Sequence, residues 1–536
     1  MTDDERLTAI NAAARSGDMA TAGRLASEAI SANLKHPLPY AVLSQVHQSS
    51  GRFDEAASLL ARAVKLDPND PALSTRLGGC LDAARRPREA LGAYDLALAK
   101  NPAYAPALDG KARVLMAEGR GDEARTLFER ALESEPKHLA ARLGLAHLAA
   151  ERGDWAAAKA AAGEALTLQP GYPEALWLLA QAAMAEDNPR LAESTLRGLL
   201  ADPRLTPLQR ADTRVELGDA LHVQERWADA FAAYAEGKRA LNTLYAQRAR
   251  SRESETARAL RLAAWTNRAD VAAWSADERN ADPVATHVFL IGFPRSGTTL
   301  LEQALAGHPQ VATLEEWPTL TQASAGLYDD ARAIDALPQM TGQDLKARRR
   351  KYWDVVRGAG LEVKDRVFVD KQPGGTLHLP LIRRLFPRAK IVFALRDPRD
   401  VVLSCLRHGF QMNALTYEFT TLDGAAACYD AFMQLGQAAR ERLGLAWFDL
   451  RHEDLVADFD RRIGDLCDFL GLEKSSALAD FAATAQARRV RTPSASQVRA
   501  GLNARGVGRW RDYAAQMQPV LESLAPWVER FGYPAD

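Results

Sequence analysis

Cysteine is nearly missing from this chain. Four of its 536 residues carry a thiol (Cys80, Cys405, Cys428 and Cys467), and no C-x-x-C spacing brings any two together. This excludes a disulfide framework or a zinc site as the basis of the fold and implies a reducing compartment. Long apolar runs are missing too: no stretch reaches the ~18 apolar residues that would suggest a membrane span. The opening segment, MTDDERLTAINAAARSGD, is acidic and lacks the basic-then-apolar order of a secretory signal, so a cytoplasmic protein is expected. Net charge is close to absent, at −1, which argues against a general binder of nucleic acid or membrane surfaces. With 47% apolar and 26% charged residues the composition is globular, and the length calls for two domains or more.

What the first half does contain is a repeat. Pro68, Pro102, Pro136 and Pro170 recur every 34 residues. Ala22, Ala56, Ala90, Ala124, Ala158 and Ala192 keep the same step, as do Ala29, Ala63, Ala97, Ala131 and Ala165. Five positions ahead of the first alanine series stand Gly17, Gly51, Arg85, Gly119, Gly153 and Asp187. Glycine permits a tight turn, alanine lets two helices approach, and proline ends the second helix, so each unit reads as helix-turn-helix. The segments GRFDEAASLLARAVKLDPND and GRGDEARTLFERALESEPKH resemble the tetratricopeptide repeat. About seven units fit between residues 5 and 245, the last arriving four residues late after an insertion near LTPLQR. Stacked units of this kind form an all-α solenoid with a concave groove. That groove either holds a macromolecular acceptor or partner protein, or serves only for packing on the second domain or for a homodimer.

The second half has another grammar. VFLI, VFVD, KIVFAL and LAWFDL are apolar strand-like runs, each followed by an amphipathic helical stretch. The alternation predicts an α/β domain with a parallel, doubly wound sheet, in which ligands bind beyond the carboxyl ends of the strands. The runs end close to Arg295, Lys371, Arg396 and His452, which points to one shared site. The expected organisation is a repeat solenoid over 1–245, a charged helical linker over 246–283 and the α/β domain over 284–536.

The first of those strands opens VFLIGFPRSGTTLLEQALAGHP, Val288 to Pro309, whose frame from Gly292 to Thr299 is G-x-x-x-x-G-T-T. A nucleotide triphosphatase has lysine where Thr298 stands, to neutralise the terminal phosphates, and needs a carboxylate for magnesium. Here IVFAL runs directly into Arg396, so that reading is disfavoured. Backbone N–H groups at a helix start can still grip a single phosphate.

GFPRSGTTL, VDKQP, FPRAKIVFALRDPRDVVLS and the distant GVGRW together resemble the sulfotransferases that use 3′-phosphoadenosine-5′-phosphosulfate (PAPS). The nearest variety is the bacterial tetratricopeptide-repeat sulfotransferases, related to tyrosylprotein sulfotransferases. The resemblance spans roughly residues 284–536 and gives the domain a P-loop-like sheet. It implies that Arg295, Ser296, Gly297, Thr298 and Thr299 enclose the 5′-phosphate, with Arg295 also facing the sulfuryl group. Arg396 and Ser404 would hold the 3′-phosphate, and Arg509 would reach back to the phosphates. Glu316, 21 residues after Arg295, is the implied general base; Glu315 is its rival and His308 a weaker one. Lys371 would place charge on the leaving oxygen, and Ser494 would add a hydrogen bond. No metal is required, because arginine and lysine neutralise the charge.

Three departures from the family pattern stand out. His452 replaces the tyrosine that packs on adenine, Gly374 replaces a polar residue, and LNARGVGRW loses an aromatic and two hydroxyls. The acceptor is a peptide tyrosine, a glycan or another hydroxyl. No arginine follows the base as in tyrosylprotein-type enzymes, and KARRRKYW (Lys346 to Trp353) is either an acidic-acceptor surface or a solvated helix face. The alternative function is a catalytically weak or inactive nucleotide-binding scaffold for protein–protein interaction.

Overall fold

The computed structural model describes residues 2–274, 283–328, 330, 332–473, 478 and 506–535. Met1–Ala201 form one compact unit and Asp202–Asp536 a second. Among the described residues no helix is long and apolar enough to cross a membrane.

The first unit consists of helices α1 (Asp3–Arg15) to α12 (Pro189–Leu200), arranged as six pairs. The inner helices include α7 (Ala105–Ala117), α9 (Leu139–Glu151) and α11 (Pro173–Ala185), and α10 (Trp155–Leu168) pairs with α9. The sequence series explain the geometry. Gly17, Gly51, Gly119 and Gly153 turn with φ between 72° and 88°, and Arg85 and Asp187 take the same left-handed conformation at 62° and 56°. Ala22, Ala56, Ala90, Ala124, Ala158 and Ala192 are all fully buried. Each repeat proline stands two residues beyond the end of a helix, after Leu66, Lys100, Ser134 and Leu168.

Side-chain size is balanced from one repeat to the next. A Cβ on Gly110 would lie 2.4 Å from the Tyr94 ring, and one on Gly144 would lie 2.3 Å from Phe128. One repeat later the large and small members exchange, and Ala162 packs in one cluster with Leu178. Volume is conserved at the contact while its contributors change.

The second unit opens with a seventh helix pair, α13 (Pro207–Val223) and α14 (Trp227–Arg250), followed by α15 (Glu255–Arg268). The turn of this pair falls at Glu225, φ 59°, four residues later than the 34-residue step. A five-stranded parallel sheet follows, in the order β2-β3-β1-β4-β5. The strands are β1 (Thr286–Gly292), β2 (Val311–Glu315), β3 (Val367–Gln372), β4 (Lys390–Leu395) and β5 (Ala446–Arg451). Its helices are α16 (Thr298–Ala306), α17 (Thr319–Ala323), α18 (Gly342–Gly358), α19 (Leu379–Leu385), α20 (Pro398–Arg407), α21 (Ala414–Glu418), α22 (Leu422–Arg442), α23 (His452–Ala457), α24 (Phe459–Leu470) and α25 (Ala514–Arg530).

Alternation along β1 sets the two faces of the sheet. Val288 and Leu290 pack with Leu301 and Leu305 of α16 and with α24. His287 and Phe289 meet Tyr352 and Phe386 on the other side. The four expected strands are present, and β2 is a fifth that the sequence reading did not contain. The single helix expected after β5 is two, parted at Asp458, whose carboxylate accepts from Arg461 N to start α24. KARRRKYW is not a solvated face throughout: Arg349 is buried and donates to Leu385 O, and Arg348 donates to Ala323 O.

Candidate active site

The carboxyl ends of β1, β3 and β4 lie side by side at the centre of the sheet, so the residues that follow them converge. After β1 the chain crosses residues 293–297 and enters α16 at Thr298. Arg295 and Gly297 both take positive φ, 73° and 92°. Within this turn Ser296 N donates to Phe293 O at 3.2 Å, and the loop leads into the first turn of α16, whose N–H groups have no partner within the helix. A Cβ on Gly297 would stand 2.8 Å from His452 Nδ1, so only glycine lets that histidine close on the loop. Ser296, Thr298 and Thr299 are buried in the same turn.

Arg295 Nε donates to Ser404 Oγ at 3.0 Å, joining the loop after β1 to α20 after β4. Burial, and next the charge of Arg396, push the Arg295 guanidinium down to about 10. Arg396 donates to Arg295 O at 3.1 Å and to Gly506 O at 2.5 Å. The neighbouring carboxylates are committed elsewhere. Asp397 pairs with Arg399, while Asp400 accepts from Gly508 N and Trp510 N. The last two bonds pin the GRW segment to the start of α20, with the Arg399 guanidinium 4.0 Å from the Trp510 ring centre. The Arg509 side chain itself pairs with Asp512 at 3.0 Å. Cys405 Sγ lies 3.6 Å from Pro294 O, and burial pushes this thiol up to about 12, so it packs and does not react.

On the other side of β1, Lys371 ends fully buried at the close of β3. Its Nζ reaches Glu316 at 2.6 Å and Glu315 at 3.3 Å. Glu315 pairs with Lys371 in the β2–β3 register, and Glu316 N donates to Lys371 O across a turn with φ 57° at Glu316. The Glu316 side chain is 42% exposed and that of Glu315 14%, so Glu316 is the carboxylate an incoming molecule can touch.

A supporting layer escaped the sequence reading. Asp370, fully buried, accepts from Thr319 and Tyr352 at 2.7 Å each. Gln372 donates to Trp317 O and to Thr319. Together they fix the turn that carries Glu316. A carboxylate inside the apolar run VFVDKQ was the available signal. His308 serves as a loop cap: Nδ1 accepts from Gln310 N, and Nε2 lies 3.0 Å from Glu473 O.

Arg295, Gly297, Arg396, Ser404 and His452 are thus brought together, and Lys371, Glu315 and Glu316 form a second group next to them across β1. Arg509 is held to α20 through its neighbours, and Ser494 lies outside the described residues. Arg396 Nε and His452 Nδ1 are buried and have no hydrogen-bond partner among the described residues. Burial, and then Arg396, push His452 down to about 3, so its ring is uncharged at neutral pH. A buried guanidinium N–H surplus to internal needs and an unpaired ring nitrogen, beside the start of α16, fit an anionic ligand.

Residues 287–476 match the model of a sulfotransferase family, and five overlapping windows between residues 13 and 211 match the tetratricopeptide repeat. The chain joins tetratricopeptide repeats to a sulfotransferase-family domain. An uncharacterized protein of Aquifex aeolicus is 24% identical over 437 residues, 77% of this chain. The chain spans about half of that relative's length, 54%. A candidate protein-tyrosine sulfotransferase of Caenorhabditis briggsae is 26% identical over 259 residues, 46% of this chain and 88% of that protein. A tetratricopeptide-repeat protein of Parabacteroides merdae aligns with a TM-score of 0.37 at 18% identity, covering 44% of this chain and 91% of its own.

Proposed function

We propose that the sulfotransferase-family domain, residues 284–536, transfers a sulfuryl group from PAPS to an acceptor hydroxyl. The observation that supports this most is the 3.0 Å bond between Arg295 and Ser404. It puts the residues read for the 5′-phosphate and for the 3′-phosphate in one place. When bound, PAPS supplies the sulfuryl group on its 5′-phosphate and a separate 3′-phosphate. Arg295 and the N–H groups through Thr299 would hold the first anion, Arg396 and Ser404 would hold the second, and His452 would contact the adenine. Lys371 Nζ would donate to the bridging oxygen and offset the charge that develops there. Glu316 accepts the acceptor's hydroxyl proton, its carboxylate oriented by Lys371. Arg509 and Ser494 add contacts to the nucleotide from the C-terminal segment.

The repeats, residues 1–245, present a macromolecular acceptor or partner, with 246–283 as a helical connection. The four free, buried cysteines support a cytoplasmic setting.

Calorimetric titration with the product nucleotide, 3′-phosphoadenosine-5′-phosphate, tests the site. Binding in clear preference to ATP is expected, and equal binding of the two or none overturns the reading. With a panel of hydroxyl acceptors and labelled PAPS, Glu316→Ala is expected to lower turnover by about a hundredfold or more while nucleotide affinity holds. Full turnover in that variant and loss in Glu315→Ala would move the base to Glu315.

A further inference from the structure

The second unit holds a cavity of about 380 Å³ lined by the end of α14, the link to α15 and the region of α21. The repeat plan explains one wall. The second helices of the earlier pairs run for 12–14 residues, whereas α14 runs for 24. Its extra turns carry Tyr245, Arg248, Ala249 and Arg250 to the cavity, and Arg252, Glu253 and Ser254 follow on the way to α15. The other wall runs from Met412 to Ala414 and takes in Tyr417 and Glu418. A capping box fixes this short helix: Asn413 Oδ1 accepts from Thr416 N at 3.0 Å, and Thr416 Oγ accepts from Asn413 N at 2.8 Å.

The charges of the lining are unequal. Arg248, Arg250 and Arg252 bring three guanidiniums, which stay protonated in proteins. The two carboxylates beside them are both engaged from outside the cavity. Glu253 pairs with Arg261 at 2.6 Å and with Arg258 at 3.6 Å, and neither arginine lines the cavity. Glu418 Oε1 accepts from Glu255 N at 3.0 Å, where α15 begins. Burial pushes the Glu255 carboxyl up, while Arg258 and, more weakly, Arg252 pull it back. Arg248 and Arg250 have no ion pair among the described residues. Their charge is therefore not offset within ion-pair reach.

Basic residues in the last turn of a helix complement its carbonyl end, which accounts for Arg248 and Arg250 on α14. It does not account for the cavity that they line with two tyrosines. The rest of the lining is largely apolar: Tyr245, Ala249, Met412, Ala414 and Tyr417. An inorganic anion would leave that surface uncovered. A neutral apolar molecule would strip water from the guanidiniums without compensation, and a cation would be repelled. The volume falls within the ~300–1,000 Å³ of small-molecule sites.

We propose that this cavity binds a small organic anion, a carboxylate or sulfonate-like group on a flat apolar body. The anionic head lies with Arg248 and Arg250, and the body lies against Tyr245, Met412 and Tyr417. The site goes beyond the sulfuryl-transfer reading, since none of its lining residues belongs to the nucleotide or catalytic groups.

The test titrates the full chain with naphthalene sulfonate and naphthalene carboxylate, and separately with uncharged naphthylmethanol, naphthylmethylammonium and inorganic sulfate. The two aromatic anions are expected to bind, and the other three to bind about tenfold more weakly or not at all. Excess 3′-phosphoadenosine-5′-phosphate should leave the bound anion in place, whether or not that nucleotide binds elsewhere. Arg248→Gln combined with Arg250→Gln should weaken anion binding about tenfold without altering thermal melting, since neither side chain is in an ion pair. Tyr245→Ala should weaken it as well, and Tyr245→Phe, which restores the ring, should recover most of the loss. The proposal is overturned if neither aromatic anion binds, if naphthylmethanol binds as tightly, or if the nucleotide displaces the anion. It also falls if binding survives all the substitutions, or if a Gly/Ser peptide carrying glutamates binds where the aromatic anions do not.

Discussion

The seventh helix pair and the six before it follow one plan but bury different chemistry. At the position of Lys238 in α14, the earlier pairs carry Ile30, Val64, Leu98, Leu132, Leu166 and Leu200. Lys238 is 2% exposed, and its Nζ donates to His408 O at 2.5 Å, one residue beyond the end of α20. Tyr234, also buried, donates to Asp219 at 2.6 Å, and the Arg407 guanidinium lies 5.5 Å from its ring centre. Asn242 donates to Thr420, and His222 Nδ1 lies 2.8 Å from the Tyr513 hydroxyl. In the earlier pairs the positions of Lys238 and Tyr234 carry aliphatic, alanine or aromatic residues that sit in or against apolar clusters, among them Leu60, Val64, Tyr94, Leu98, Phe128, Leu132, Ala162 and Leu166. The lesson is that a repeat becomes part of a site by turning a few polar groups inward. α20 carries Ser404, so the seventh pair braces the helix that meets Arg295.

Two matched glycines separate the roles of the early repeats and the seventh pair. Gly144→Ala brings a Cβ against Phe128, and Gly218→Ala brings one within 2.4 Å of the Tyr234 ring. Each should cost about 1–3 kcal/mol in stability through overpacking, read by denaturant titration. Only Gly218→Ala should also weaken product-nucleotide binding, because Tyr234 is then displaced from Asp219 and Arg407. Equal binding loss in both variants would erase the distinction.

Next in size is Lys238→Leu, which restores the residue type of the earlier repeats. His408 O loses its donor, and nucleotide affinity is expected to fall about tenfold, a change of ~1.4 kcal/mol. The same variant has a pH signature. Burial outweighs the nearby Cys405, Asp212 and Asp219 and pushes Lys238 down to about 8 from an ordinary 10.5. Between those values the unfolded chain holds a proton that the folded chain has released, so stability rises with pH across that window. Below about pH 8 the cost of burying the charge is present in full, at about 3 kcal/mol. The rise should be present in the parent and missing in Lys238→Leu, and a parent whose stability is flat across the window would refute the account. The smallest effect belongs to Asp154→Ala, which removes the side-chain acceptor of Ala157 N at the start of α10. About 1 kcal/mol of stability should be lost, with nucleotide binding untouched.

The repeats were legible because their period puts the same residue at the same turn, down to Arg85 and Asp187 standing where glycine is usual. The strand ends were legible because β1, β3 and β4 are buried on both faces and read as continuous apolar runs. VATLE did not read as β2 because it is short, lies at the edge and is half polar. Lys238 was hidden because AEGKRAL reads as an ordinary solvated helix face, and only the partner carbonyl at His408 gives the lysine a reason to be inside. Glu316 was implied by the family resemblance, in which it stands 21 residues after Arg295. That Glu315 shares Lys371 follows from the β2–β3 register, which spacing along the chain does not reveal.

The exchange of large and small partners between repeats also makes their order non-commutative. A cassette swap that set Phe128 against Leu178 would overfill one seam, while Ala162 facing Gly144 would leave the next one hollow. Each 34-residue block is therefore keyed to its successor, and shuffling such blocks would require moving both halves of a seam together.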